Sequence, residues 1–161
     1  MFALDTNILV YAHNSASPFH KKAKMFVENI IAEEDGLENF KICIPIQVCA
    51  EFINVCTRQT IEKPLSLPDA VKEIRRYSEF LEIPILYPKP TQLKTFLALL
   101  ESTTTRKKIF DVYLAATLKD HQIKGLYTVN VDDFKEYVFL KIVNPFEENS
   151  RPEQNNKIEN L

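Results

Sequence analysis

The strongest constraint on how this chain folds is an alternation. Short apolar runs suited to strands, "FAL" at 2–4, "KICI" at 41–44, "PILY" at 84–87, "GLYTV" at 125–129 and "FLKIV" at 139–143, are separated by stretches of helical periodicity. One helical pattern runs from Pro18 to about Glu34, with Phe19, Ala23, Phe26, Val27, Ile30 and Ile31 on one stripe. Another starts at Pro45 and carries Val48, Phe52, Val55 and Cys56, and a third begins near Pro68 and Asp69 and runs through Val71, Ile74, Tyr77 and Leu81. Two more lie around 91–101 and 108–121. Strands joined by helices of ten or more residues need crossover connections, which produce parallel pairs rather than hairpins. The expected fold class is therefore α/β, a three-layer α/β/α arrangement around a central, mostly parallel sheet of four to five strands. One domain covers residues 1–146, and "EENSRPEQNNKIENL" from Glu147 onward, polar and without periodicity, is expected to be a frayed or disordered tail.

Composition removes several function classes. With 161 residues the chain can bury roughly two thirds of its unfolded surface in a single core without disulfides or structural metals. Gly36 and Gly125 are the only glycines, so no glycine-rich loop can cradle a nucleotide phosphate. A formal net charge of −2 argues against holding nucleic acid by bulk positive potential and leaves only local patches such as Arg106, Lys107 and Lys108. Cys43, Cys49 and Cys56 contain no CxxC pair and read as small buried hydrophobes in a reducing compartment. The start lacks the basic-then-apolar form of a signal peptide, and Asp5 interrupts the first apolar stretch far short of a membrane span, so a cytoplasmic location is expected. His13, His20 and His121 lack an HxxxH spacing and read as surface or boundary residues.

Four polar positions stand out because they sit where open parallel sheets collect functional groups, just beyond the carboxyl ends of strands. Asp5 ends the first strand in "LDTNILVYA"; it can cap a helix starting at Ile8 or point into a crevice. Glu51, in "QVCAEFINVC", shares a helical stripe with Val48 and Val55, so it is either a boundary residue reaching for water or a carboxylate that is paired or bound. Asp111, in "FDVYLAATL", is either a first-turn acid favoured by the helix dipole or a group facing a closely packed neighbour. "TVNVDDF" places Asn130, Asp132 and Asp133 after the fourth strand, where a polar turn explains them as well as a site does. Converging carboxylates repel, and a divalent cation resolves that repulsion. Oxygen donors without a histidine or cysteine cluster point to Mg²⁺ or Mn²⁺ rather than zinc.

Taken in order, these motifs resemble those of the PIN-domain family, and within it the VapC-type toxin ribonucleases of toxin–antitoxin modules. "LDTNILVYA" looks like the first motif, Glu51 in "QVCAEF" the second, Asp111 in "FDVYLAATL" the third and "TVNVDDF" the fourth, and "IVNPF" is similar to the end of many such toxins. The resemblance implies that residues 1–146 form a PIN domain with Asp5 and Asp111 as metal ligands and Glu51 completing the acidic pocket. It leaves the fourth position open between Asn130, which would orient a water, Asp133, which would supply an outer charge, or both, and it implies that cleavage leaves a 5′-phosphate and a 3′-hydroxyl. Thr6 and Thr128 would position phosphate or water, and Arg106, Lys107 and Lys108 would hold the RNA backbone. The implied partners are an RNA substrate, a VapB-like antitoxin and a second copy of the chain in a homodimer. Two rivals come from other classes. One is a PIN-like binding module that does not cleave. The other is a Mg²⁺-dependent phosphoacceptor domain, against which stands the absence of a second acid beside Asp5.

Overall fold

A computed structural model of the chain describes residues 1–32, 41–101 and 109–147. Five strands, β1 (Phe2–Leu4), β2 (Ile42–Pro45), β3 (Ile85–Leu86), β4 (Gly125–Tyr127) and β5 (Lys141–Val143), form one sheet in the order β3-β2-β1-β4-β5. Every pairing is parallel. Ala3, Leu4, Ile42, Cys43, Ile44 and Leu126 are fully buried, the unbroken apolar pattern of strands covered on both faces. Each Leu or Ile so buried contributes about 1.5–3 kcal/mol relative to exposure.

The helices are α1 (Thr6–His13), α2 (His20–Ala32), α3 (Ile46–Cys56), α4 (Leu67–Arg75), α5 (Gln92–Glu101), α6 (Ile109–Asp120) and α7 (Val131–Phe134). α1 packs against α2 and α3, and α3 against α4. α5 packs against α6, which also meets β2 and α7. Chain order explains the two groups. The chain moves outward through β1, β2 and β3, then returns across the sheet through α5 and α6 to place β4 on the other side of β1. Right-handed crossovers made in opposite directions lay their helices on opposite faces, giving the three layers. The reversal also makes a topological switch point between β1 and β4.

Several boundaries differ from the sequence reading, each for a local reason. α1 begins at Thr6, two residues before the expected Ile8, because Asp5 serves as its N-cap and accepts a hydrogen bond from the Thr6 backbone N–H. Pro45 finishes β2 and is the N-cap of α3. Ser66 caps α4, so Pro68 falls in its first turn, and the expected run to Leu81 changes pitch into a π-helical turn at Arg76–Phe80. There the Leu81 N–H donates to the Arg76 carbonyl, five residues back. β4 ends at Tyr127, not at Val129. The Cβ of an alanine at Gly125 would lie 2.1 Å from the Phe2 ring, which stacks on Tyr127 at 4.8 Å. All three cysteines are buried and free, and burial pushes their thiols up, to about 12 for Cys43 and about 11 for Cys49 and Cys56. No helix among the described residues is long and apolar enough to cross a membrane. The basic trio Arg106, Lys107 and Lys108, and all of the expected tail except Glu147, lie outside the described residues.

Candidate active site

The sheet brings Asp5 and Thr128 together at the switch point. The Asp5 N–H donates to the Tyr127 carbonyl at 3.0 Å, which fixes the end of β1 against the end of β4. Asp5 Oδ1 accepts from the Thr6 N–H at 2.7 Å, while Oδ2 accepts from Asn7 Nδ2 at 2.7 Å and from Thr128 Oγ1 at 2.6 Å. Thr128 Oγ1 in turn accepts from Asn7 Nδ2 and from the Asn130 N–H, each at 3.0 Å. Asn7 Oδ1 accepts from the Val129 N–H at 3.3 Å, so this one amide spans both strand ends.

Glu51 joins through Thr6. The Thr6 hydroxyl donates to Glu51 Oε2 at 2.7 Å, and Glu51 Oε1 accepts from Gln47 Nε2 at 2.6 Å, one helical turn earlier. The same Gln47 nitrogen donates to the Phe110 carbonyl at 3.1 Å, which ties the start of α6, and with it Asp111, to the start of α3. The side chain of Asp5 is buried, with 7% exposure, whereas Glu51 and Asp111 are half-buried. Burial dominates the Asp5 environment and pushes its carboxyl up from 3.8 to about 6. The hydrogen bonds from Thr128, Thr6 and Asn7 act in the opposite direction, and the nearby charge of Glu51 adds to the rise.

The remaining sequence candidates lie further out. Asn130 is exposed at the N-cap position of α7, and its side chain makes no capping bond; it reaches the network through its backbone N–H. Asp133 is half-buried one turn on, with its N–H bonded to the Asn130 carbonyl, and exposed Asp132 forms an ion pair with Lys135 at 2.8 Å. Gln47 was not singled out by sequence, although its place four residues before Glu51 on a helix is a readable signal. The histidines are absent from this network. His13 pairs with the Tyr77 hydroxyl at 2.9 Å beside Glu73, at the far end of α1. It lines a cavity of about 470 Å³ with His20, Lys24, Arg76 and Tyr77, and none of the candidate carboxylates reaches that cavity.

The donor set suits a hard divalent cation. An ionised carboxylate offers about four lone pairs. Three on Asp5 and two on Glu51 are engaged by hydrogen bonds, which leaves roughly one and roughly two for an ion. Among the described residues no group of three or more His, Cys, Asp or Glu side chains lies close enough to hold a metal ion, so the close acidic unit is the pair Asp5 and Glu51.

Comparison with known proteins decides the family. The family model described as PIN domain matches residues 2–140. The chain belongs to the PIN-domain family. This PIN domain is 26% identical over 146 residues to Ribonuclease VapC24 of Mycobacterium tuberculosis, covering 90% of this chain and 97% of that protein. It is equally 26% identical over 144 residues to Ribonuclease VapC48 of the same organism, covering 88% and 95%. Among solved structures, M. tuberculosis VapC20, a toxin described as cleaving the sarcin–ricin loop, superposes with a TM-score of 0.60 at 13% identity over 85% of this chain and 95% of that one. VapBC2 from Rickettsia felis, bound to a DNA fragment from its promoter, superposes at 0.59 with 18% identity, over 88% and 96%. A toxin–antitoxin complex from Klebsiella pneumoniae gives 0.58 at 19% identity, over 91% and 99%. These structural likenesses establish the fold: a PIN domain built on a five-stranded parallel sheet.

Proposed function

We propose that this PIN domain is a VapC-type endoribonuclease, the toxin of a toxin–antitoxin pair, which hydrolyses RNA phosphodiesters with the help of Mg²⁺ or Mn²⁺. The observation that carries the reading is the Asp5–Thr6–Glu51 unit: two carboxylates bridged by one residue at the switch point of the sheet, Asp5 accepting from the Thr6 backbone N–H and Glu51 from the Thr6 hydroxyl. Asp111 lies in the first turn of α6, which Gln47 ties to that unit through the Phe110 carbonyl. Asp5, Glu51 and Asp111 would hold the ion, which when bound would acidify a water and neutralise charge growing on the phosphodiester.

The chain's own groups do the rest. Asn7 and Thr128 keep Asp5 Oδ2 fixed, so the carboxylate meets its ligand without reorganising. Thr6 and Gln47 orient the two oxygens of Glu51. Asn130 is assigned to orienting the water, Asp133 to supplying outer negative charge, and Arg106, Lys107 and Lys108 to the RNA backbone. The proposed partners are RNA, a VapB-like antitoxin and a second copy of this chain, in the cytoplasm.

Incubation of purified protein with RNA and Mg²⁺ or Mn²⁺, beside Asp5→Asn and Asp111→Asn, tests the assignment. Cleavage by the wild type and not by the variants is expected, and equal cleavage by all three sinks it. A PIN scaffold that keeps its acids without cleaving is the second reading. What favours it is that three carboxylates do not converge among the described residues. RNA binding without cleavage in either metal identifies that case. A phosphoacceptor role fits poorly, because Asp5 is buried and both its oxygens are already engaged.

A further inference from the structure

The start of α6 carries a feature that metal chemistry does not use. Phe110 immediately precedes Asp111, and its side chain is 73% exposed although Phe52 and Phe134 are buried in the core. Helix α6 meets α5 through a different aromatic, Tyr113, whose ring packs edge-on to Phe96 at 5.4 Å. Phe110 forms no ring pair among the described residues, so its ring is not a packing element of that contact. An isolated exposed aromatic is ordinary. This one is anchored: its carbonyl accepts from Gln47 Nε2, the same nitrogen that holds Glu51 Oε1. The backbone beneath an exposed, flat, apolar ring is thus held in register with the acidic pair.

We propose that the Phe110 ring is a stacking platform for a nucleobase of single-stranded RNA next to the scissile phosphate. The inference rests on the ribonuclease reading and deepens it by naming a substrate-positioning residue at the rim of the site. A phosphodiester held through a divalent ion at the carboxylates would present the neighbouring base at the rim of the site. An exposed aromatic face takes up that base whatever its identity, because every base has a π-face. With a net charge of −2 the chain has little bulk attraction for RNA, which increases the weight of such a contact. Stacking that persists from the bound substrate through the transition state acts on KM rather than on kcat.

The test uses the full-length protein with Phe110→Ala, Phe110→Leu, Phe110→Tyr and Phe110→Trp. Cleavage kinetics are measured on a short single-stranded RNA, and quenching of a 2-aminopurine base in that RNA is followed with Ca²⁺ in place of Mg²⁺ or Mn²⁺. Phe110→Ala and Phe110→Leu should raise KM roughly ten-fold, within a range of about five- to a hundred-fold, with kcat within about two-fold and quenching lost. Phe110→Tyr and Phe110→Trp should restore both. Wild-type KM and quenching in Phe110→Ala overturn the proposal while leaving the nuclease assignment standing. Full function in Phe110→Leu overturns it as well, since that points to an apolar protein contact. A fall in kcat alone assigns the ring to site geometry and likewise overturns it. If the wild type cleaves no RNA, the nuclease reading fails, and the quenching arm still decides whether the ring stacks on a base.

Discussion

Asp5→Asn makes the physical character of the site measurable without any substrate. The gap between the ordinary carboxyl value of 3.8 and the folded value of about 6 amounts to about 3 kcal/mol by which ionised Asp5 destabilises the metal-free fold. Between these two values the folded state holds the proton more tightly than the unfolded chain does. The contribution of Asp5 to wild-type stability is therefore fully present below pH 3.8 and is lost as the pH rises through about 6. Asparagine removes the charge and keeps an oxygen for Asn7 and Thr128, but it turns an NH₂ toward the Thr6 N–H that Oδ1 now accepts. That lost bond costs about 1–2 kcal/mol. In EDTA above pH 7 the variant should accordingly be more stable by about 1–2 kcal/mol, or about 2–8 °C in Tm for a chain of this size. Near pH 4 the order should reverse, because protonated Asp5 no longer carries the charge penalty while the asparagine still lacks its bond. Added Mg²⁺ should raise the Tm of the wild type and leave the variant almost unmoved. Thermal unfolding across this pH range checks all three results, and a variant less stable by the same margin at every pH would refute the reasoning.

Three further outcomes follow from particular contacts. Thr128→Val keeps the shape of a fully buried side chain but takes one bond each from Asp5 Oδ2 and Asn7 Nδ2, which keep only each other, and leaves the Asn130 N–H without its acceptor; urea unfolding should show a loss of about 2–3 kcal/mol, and the Asp5 carboxyl should rise further. Gln47→Leu releases Glu51 Oε1 and the Phe110 carbonyl together while Thr6 keeps Oε2, so cleavage should fall at least about ten-fold, and because the half-buried amide's own Oε1 is already without a partner among the described residues the stability loss should stay at about 1 kcal/mol, measured on the same preparation. Gly125→Ala forces the Phe2 ring off Tyr127 and should cost about 1–3 kcal/mol, read by denaturant unfolding, with Phe2→Leu in the same chain recovering part of the loss.

The fold was legible because its signals are local and repeated. Five short apolar runs separated by helical stretches already imply crossovers, and crossovers imply a parallel sheet with covered faces. What was not legible depends on contacts between distant parts of the chain. The apolar "GLYTV" reads as strand to Val129, yet β4 stops at Tyr127, and the Thr128 hydroxyl beyond it is bonded to Asp5 and Asn7 from the other end of the sequence. The π-helical turn at Arg76 leaves the stripe of Ile74, Tyr77 and Leu81 looking like an ordinary helix, since one inserted residue hardly alters so short a pattern. Asp5, Glu51 and Asp111 were conspicuous as acids in apolar surroundings. Gln47 was not, because a neutral amide beside a glutamate resembles a solvated helix face until the Phe110 carbonyl appears opposite it.

The choice posed by Asp5 between cap and site dissolves on counting its oxygens. Capping α1 needs one acceptor, and Oδ1 supplies it to the Thr6 N–H. An exposed Ser, Thr, Asn or Asp would serve that purpose with no buried charge. Here the carboxylate is sunk until its proton is released only near pH 6, a second carboxylate approaches through Thr6, and two further donors from Asn7 and Thr128 converge on the other oxygen. Those donors offset part of the burial cost and do not remove it. A sequence shaped for stability alone would have given up the charge, since asparagine keeps most of the bonds. Retaining an acid there makes sense when its negative charge is matched by something that binds, and the same apposition that destabilises the free protein then favours the bound one. The cap sets the orientation of the carboxylate, and the switch point of the sheet sets what that carboxylate faces.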